Sequence, residues 1–322
     1  MTMLTQKISQ LTVPTPYAVG DVHMYVLKDE RFSIIDAGVN TDEAWEAVLY
    51  QLKEMGYGPE DVEQIILTHH HPDHIGLIER FPRITDVVGH HYIDPWLRKE
   101  ESFLQSYEAF FTGLYKEAGV PDRFRKFLKS LRKPLVTAPK SQLTIKIDEG
   151  DQLPGHPGWE VVAVPGHAQS HVAFYHSREK ALIGGDVLLK HISSNPLLEP
   201  PLQEGEPRPI PQLQYRDTLA KLLNIDFNTV YPGHGDIFTA PHDLIKKRLE
   251  KQKARAFHVC ELIGKKALTA FQVCELLFPS QMEKEFGLTM SETIGQLDYL
   301  LSIGALKAEK EDEALVYSRL EG

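Results

Sequence analysis

The chain has 322 residues, 42% of them hydrophobic and 25% charged, ordinary globular values and length enough for one large domain and a small one. A net charge of −10 argues against a protein that coats nucleic acid, and no apolar run approaches the roughly 18 residues of a transmembrane helix. Residues 1–10 lack the apolar core of a signal peptide and Cys260 and Cys274 are the only cysteines, so a cytoplasmic protein without disulfides is expected.

In chain order, Val-Glu-Gln-Ile-Ile-Leu (62–67) reads as a buried strand. It runs straight into Thr-His-His-His-Pro-Asp-His (68–74), which puts His69, His71, Asp73 and His74 within six positions. In extended backbone His69 and His71 point the same way. Pro72 turns the chain, and Asp73 is placed to cap a helix over roughly 74–81. Imidazoles and a carboxylate this close do not pack as core, so one loop is expected to serve two metal ions. Asp86–Gly89 and Leu143–Ile147 read as further strands.

Between those strands, Phe103, Tyr107, Phe110, Phe111, Leu114 and Tyr115 recur at helical spacing. The stretch 123–133 then holds six basic residues and no acid. This insertion, 92–133, is either a helical hairpin packed on the domain with a solvated basic face, or a lid over the metals. Three later strands end in metal-capable residues: 160–167 in Pro-Gly-His167, 180–186 in Gly-Gly-Asp186, and 227–235 in Pro-Gly-His234-Gly. Residues 195–211 carry six prolines, too many for helix or central strand. Following Asp186, this segment is expected to cross the mouth of the site, with Lys190 and His191 at its start as candidate substrate contacts.

The order His-x-His-x-Asp-His, Gly-His, Asp, Gly-His resembles the metallo-beta-lactamase superfamily over about residues 12 to 240. The resemblance implies an α/β fold, an αββα metallo-beta-lactamase sandwich with the site at one edge. In it His69, His71 and His167 hold one metal, Asp73, His74 and His234 the second, and Asp186 bridges them. Val22–Leu27 with Phe32–Gly38 is similar to the family's first hairpin. Asp36 is then expected behind the metals as partner of a ligand histidine, and His171 matches a recurrent second histidine that does not ligate. His23 stands where relatives often carry Asn and is a candidate substrate contact. Thr-His-His-His-Pro-Asp-His is similar to the glyoxalase II thioesterases, but the chain lacks their helical glutathione-gripping domain. Lactonases usually carry Tyr three positions past the bridging Asp, where this chain has Leu189.

The domain expectation is 1–250 for the metallo-beta-lactamase domain and 251–322 for a small C-terminal domain. After a helix over 242–263, the order helix (270–278), helix (290–304) and hairpin (305–318) is the winged-helix pattern and resembles the C-terminal domain of beta-lactamase-like protein 2, an endoribonuclease. The helix that would enter a groove carries Glu292 and Asp298 without Lys or Arg, and the wing tip is Glu311-Asp312-Glu313. The domain is therefore read as a packing or oligomerisation module, not a nucleic-acid reader.

Two divalent ions roughly 3.5–4 Å apart can share a water as hydroxide near neutral pH, so no protein nucleophile is required, and no Gly-x-Ser-x-Gly elbow is present. Asp73 would also orient that hydroxide. With His and Asp ligands and no thiolate, zinc fits, as do iron and manganese. The expected function is hydrolysis of a small-molecule, anionic ester, thioester or lactone. The alternative is a nucleic-acid-processing phosphodiesterase. The expected partners are that substrate and a second copy of the chain, with no membrane.

Overall fold

The structure, a computed structural model, describes residues 8–128, 138–203 and 205–320; of the basic stretch, 129–133 lie outside the described residues. Packing divides the chain into two units that are discontinuous in sequence. The first comprises Met1–Glu100, Lys133–Ser194 and Asn224–Pro241, and the second Glu101–Arg132, Asn195–Leu223 and His242–Gly322.

The first unit opens with β1 (Ser9–Val13), β2 (Val22–Lys28) and β3 (Phe32–Ile35), paired antiparallel. Helix α1 (Asp42–Glu54) is capped by Thr41, whose hydroxyl accepts from the Ala44 N–H at 3.1 Å. After α1 come β4 (Gln64–Ile66), the single turn α2 (Pro72–Ile75), β5 (Asp86–His90), α3 (Asp94–Arg98) and β6 (Ile145–Ile147). They complete a six-stranded sheet, β1-β2-β3-β4-β5-β6, parallel from β3 onward. A second sheet holds β7 (Trp159–Ala163), β8 (Val172–His176), β9 (Ala181–Gly185), β10 (Thr229–Pro232) and β11 (Phe238–Thr239) in the order β11-β10-β9-β8-β7. Tyr25, Leu27, Ile35 and Ile66 of the first sheet share one core with Trp159, Val161, Phe174 and Ile183 of the second. The other face of the first sheet packs against Ala44, Val48 and Leu52 of α1. Because both faces are covered, β3 and β4 are buried along their whole length, and their polar residues Ser33 and Gln64 bond to each other at 3.1 Å.

The helix after the histidine loop is shorter than its sequence suggests. It ends at Ile75, and a 3₁₀ turn covers Ile78–Arg80. Gly76 and Leu77 donate their N–H groups to the carbonyls of Gly38 and Ala37, which diverts them from a continuing helical ladder. A side chain at Gly76 would come within 2.2 Å of the Asn40 nitrogen. Nor does Asp73 cap this helix: the cap is His71, and Pro72 takes the first position. The Asp73 carboxylate is thereby free to face the metal loop.

In the second unit, α4 (Glu101–Glu117) and α5 (Arg125–Leu128) precede α6 (Pro211–Leu222) and α7 (Pro241–Ile263). A short strand β12 (Leu268–Thr269), α8 (Ala270–Leu277), α9 (Phe286–Ser302) and the hairpin β13 (Leu306–Glu311) and β14 (Ala314–Arg319) follow. The strands form a small sheet of order β12-β14-β13. The stripe on α4 joins this core: Phe111 and Tyr115 pack with Phe124, Phe271 and Phe286.

Helix α9 offers no free acidic face, contrary to the sequence reading. Its residues 289–300 are buried except for half-buried Glu292. Glu292 faces Arg255 at 3.3 Å and Asp298 receives Arg208 at 2.7 Å. One side of α9 holds the proline-rich segment. The Ser291 hydroxyl accepts from the Leu198 N–H, Gly295 lies under Gln212, and Asp298 pairs with Arg208, positions four and three apart on one helical face. The tip Glu311–Glu313 is exposed, with Glu313 2.5 Å from Lys116.

Candidate metal centre

The seven residues proposed as ligands from sequence all gather at the ends of strands of the first unit. His69, His71, Asp73 and His74 follow β4, Asp186 follows β9, His234 follows β10, and His167 lies between β7 and β8. Backbone bonds stitch the two sheets here, Val172 N–H to Thr68 C=O at 2.9 Å and His23 N–H to Gly233 C=O at 2.7 Å, and within the second sheet Gly233 N–H bonds to Gly185 C=O at 2.7 Å.

Among these seven residues, three groups of donor atoms each lie within 4.8 Å of one another: His69, His71 and His167; Asp73, His74 and His234; and His69, His74 and Asp186. Asp186 occupies the centre. Its Oδ2 is 3.4 Å from His167 Nε2 and 3.5 Å from His234 Nε2, and its Oδ1 is 3.5 Å from His74 Nε2. The second Asp73 oxygen is 3.4 Å from His234 Nε2. Donors arranged tetrahedrally about 2.1 Å from a common ion stand roughly 3.4 Å apart, so these spacings fit metal coordination better than direct hydrogen bonds. His74 Nε2 and Asp186 Oδ1 are buried with no hydrogen-bond partner, a costly state unless a cation takes them up. A side chain at Gly233 would come within 2.3 Å of Asp186 Oδ1 and 2.8 Å of His74 Cε1, so glycine keeps this space open.

Electrostatics agree with the geometry. Burial, then neighbouring imidazoles, holds His69 and His71 well below the usual histidine range, leaving them neutral and able to donate lone pairs. His74 goes the other way: burial opposes its charge, yet Asp186, Asp36 and Asp73 raise it well above that range. Burial also works against the carboxylates of Asp73 and Asp186, but His74 and His234 keep both ionised.

Behind the ligands lies a hydrogen-bonded relay. Asp36, in the left-handed backbone region at φ 61°, which Asp tolerates better than most residues, accepts from the Thr68 N–H at 2.7 Å. It faces His74 Nδ1 at 2.8 Å and the Thr68 hydroxyl at 2.8 Å. That hydroxyl is also 3.0 Å from His69 Nδ1. His74 and, through Thr68, His69 thus each turn Nδ1 toward one carboxylate, which fixes the tautomer and points Nε2 into the cluster. Gly185 (φ 49°) lets Thr68 and His171 approach, since a Cβ there would meet both within 3.0 Å. His171 gives its Nε2 to the Gly184 carbonyl at 3.1 Å, and burial followed by His167 pushes its pKa down to about 3.

Sequence reasoning misses Thr68 as a working residue, although its place directly before the first histidine is a signal. It also misses His70, which stacks on Trp96 at 3.9 Å with its Nδ1 2.8 Å from the Ser170 hydroxyl. His23 differs from its expected role. It is buried, with Nε2 2.8 Å from the Gly235 carbonyl and Nδ1 3.1 Å from Gln10 and Thr12, so it braces the His234 turn. Lys190 and His191 are exposed, and His191 lies 3.7 Å from Asp236.

Residues 17–234 match the family model described as metallo-beta-lactamase superfamily. The chain belongs to the metallo-beta-lactamase superfamily. It is 40% identical over 318 residues, 99% of either chain, to the Bacillus subtilis (strain 168) protein named probable metallo-hydrolase YqjP. Among solved structures it is similar to the metallo-beta-lactamase family protein TTHA1429 from Thermus thermophilus, with a TM-score of 0.78 and 26% identity over 97% of this chain and 98% of that one. A beta-lactamase domain protein from Burkholderia ambifaria shares the fold at a TM-score of 0.77, with 20% identity over 98% and 93% of the two chains. The superfamily and the buried His/Asp clusters make the protein a metal-dependent hydrolase.

Proposed function

We propose that the chain is a binuclear hydrolase of small-molecule esters, thioesters or lactones. The observation that carries this reading is Asp186, whose two oxygens stand between His167 of one donor group and His74 and His234 of the other. His69, His71 and His167 would hold one divalent ion and Asp73, His74 and His234 a second, zinc suiting a set without thiolates. Bound there, the pair would supply an activated water and an electrophile for the acyl oxygen.

The chain's own groups do the rest. Asp73, kept ionised, accepts a hydrogen bond from the attacking water and orients it. Asp36 and Thr68 lock the imidazoles so that the donor atoms need no reorganisation. Water adds to the acyl carbon, the C–O or C–S bond breaks, and the departing oxygen or sulfur takes the proton, leaving an acid and an alcohol or thiol.

The C-terminal helices and hairpin are read as a winged-helix module used for packing. A buried α9 has no surface to lay in a groove, which disfavours the phosphodiesterase alternative. The test is turnover by the metal-loaded protein on ester, thioester, lactone, phosphodiester and single-stranded RNA panels, with a gel shift of the same RNA at roughly 50 mM salt, where phosphate contacts are weakly screened. Acyl-compound turnover without a shifted probe is expected. Cleavage of RNA alone would replace this reading with the nuclease one.

A further inference from the structure

The first unit exposes five large apolar side chains among its described residues: Tyr17, Val19, Tyr50, Ile192 and Ile237. All but Tyr50 sit on loops joined to the metal cluster. Tyr17 and Val19 lie in the loop between β1 and β2, which is folded on itself by Thr15 hydroxyl to Gly20 C=O at 2.7 Å and Gly20 N–H to Tyr17 C=O at 3.1 Å. The loop ends at Asp21, whose carbonyl accepts from His234 Nδ1 at 2.7 Å. Ile237 comes three residues after His234. Ile192 follows His191, which faces Asp236 across 3.7 Å.

These four side chains are 36–43% exposed. Apolar surface left open on loops that are tied to one ligand cluster, rather than buried in a core, marks a contact site for apolar matter. The Tyr17 phenol, already raised by partial burial, is raised further by the Asp73 carboxylate, so its ring stands within electrostatic reach of the centre. The charges nearby are mixed: Asp21 and Asp236 against Lys190. Such a rim suits neither a polyanionic strand nor a highly charged leaving group.

We infer that Tyr17, Val19, Ile192 and Ile237 form an apolar rim that seats a hydrocarbon portion of the substrate beside the scissile acyl bond, so that medium-chain or aryl acyl compounds are preferred over short or highly charged ones. The inference rests on the metal-centre reading above. The hydrocarbon is desolvated against the rim while the acyl carbon stays at the ligand cluster. The hydrolysis product is a carboxylate with an apolar tail, which binds the same way.

The test titrates the full-length, metal-loaded protein with acetate, butanoate, hexanoate and octanoate by calorimetry, with metal content measured on the same sample. Complete burial of a methylene corresponds to about fourfold in affinity, so a rim open on one side should give about twofold per added methylene. The double variant Val19→Ser, Ile237→Ser should flatten that series while keeping its metal content. A flat series in wild-type protein that carries its metals overturns the inference and leaves the metal-centre reading standing. So does an unchanged slope in the double variant, or a flat series in protein that sediments as a dimer, where a second copy covers the rim. Failure to bind metal, with no carboxylate bound at any length, overturns the reading beneath it.

Discussion

Replacing Asp36 by Asn probes how far one carboxylate governs both halves of the centre. Asn tolerates the positive φ of this position, so the backbone is kept. Its single carbonyl can still accept from Thr68, but its amide group then faces His74 Nδ1, where Asp36 lies at 2.8 Å. Two donors meet, and His74 relieves the clash by moving its proton to Nε2, the nitrogen left unpartnered beside Asp186. That nitrogen can no longer ligate. Loss of such an outer partner typically weakens metal binding by about 10- to 100-fold, roughly 1.4–2.7 kcal/mol. Thr68→Val sharpens the test. It removes the hydroxyl between Asp36 and His69 but leaves the bond from Asp36 to His74. Chelator-competition titrations should therefore show the ion held by Asp73, His74 and His234 weakened in Asp36→Asn, and the ion held by His69, His71 and His167 weakened in Thr68→Val. Wild-type affinities in Asp36→Asn would refute the reasoning.

Asp73→Asn should preserve fold and helical signal yet lower turnover by about a hundredfold or more, the scale of losing a preorganised electrostatic contact; near-wild-type kcat would count against its role. Gly233→Ala places a methyl 2.3 Å from Asp186 Oδ1 and should cut metal content more than thermal stability, as elemental analysis beside calorimetry would show. His156 is fully buried, 2.7 Å from the Ser33 hydroxyl, and burial followed by Arg31 lowers its pKa to about 4. Folded His156 thus stays neutral where the unfolded chain takes up a proton. Stability should fall as pH drops from about 6.5 to about 4, by up to about 3 kcal/mol for this residue, with no further loss below. Denaturant titrations of His156→Gln should show a shallower fall, and an equal slope would contradict the assignment. Arg208→Ala leaves the buried Asp298 carboxylate without its partner at 2.7 Å and should destabilise the chain by about 2 kcal/mol or more, measured by the same titrations.

The metal loop was legible because its chemistry is local. His69, His71, Asp73 and His74 fall within one turn of chain, and His167, Asp186 and His234 each end an apolar strand. The apolar runs marked single strands, and the two facing sheets were implied by the family resemblance that the histidine and aspartate motifs carry. What the sequence hid depends on distant pairings. The relay from Asp36 to Thr68 spans 32 positions, and His23 meets Gly235 across 212. Strands β1 and β8 are five residues each, and the pairings that define them, β1 with β2 and β8 with β7 and β9, are not local signals in either run. Helix α6 starts on the last proline of a proline-rich run, where proline favours a helix start as readily as it forbids a helix interior. Glu292 and Asp298 looked solvated by type, but burial depends on which partner arrives. Arg255 and Arg208 come from 37 and 90 positions away.

The central claim is that Asp186 stands between two cations. Elemental analysis of purified, reconstituted protein tests it most directly. The account predicts about two first-row metal ions per chain, and one or fewer in protein that remains folded would contradict it.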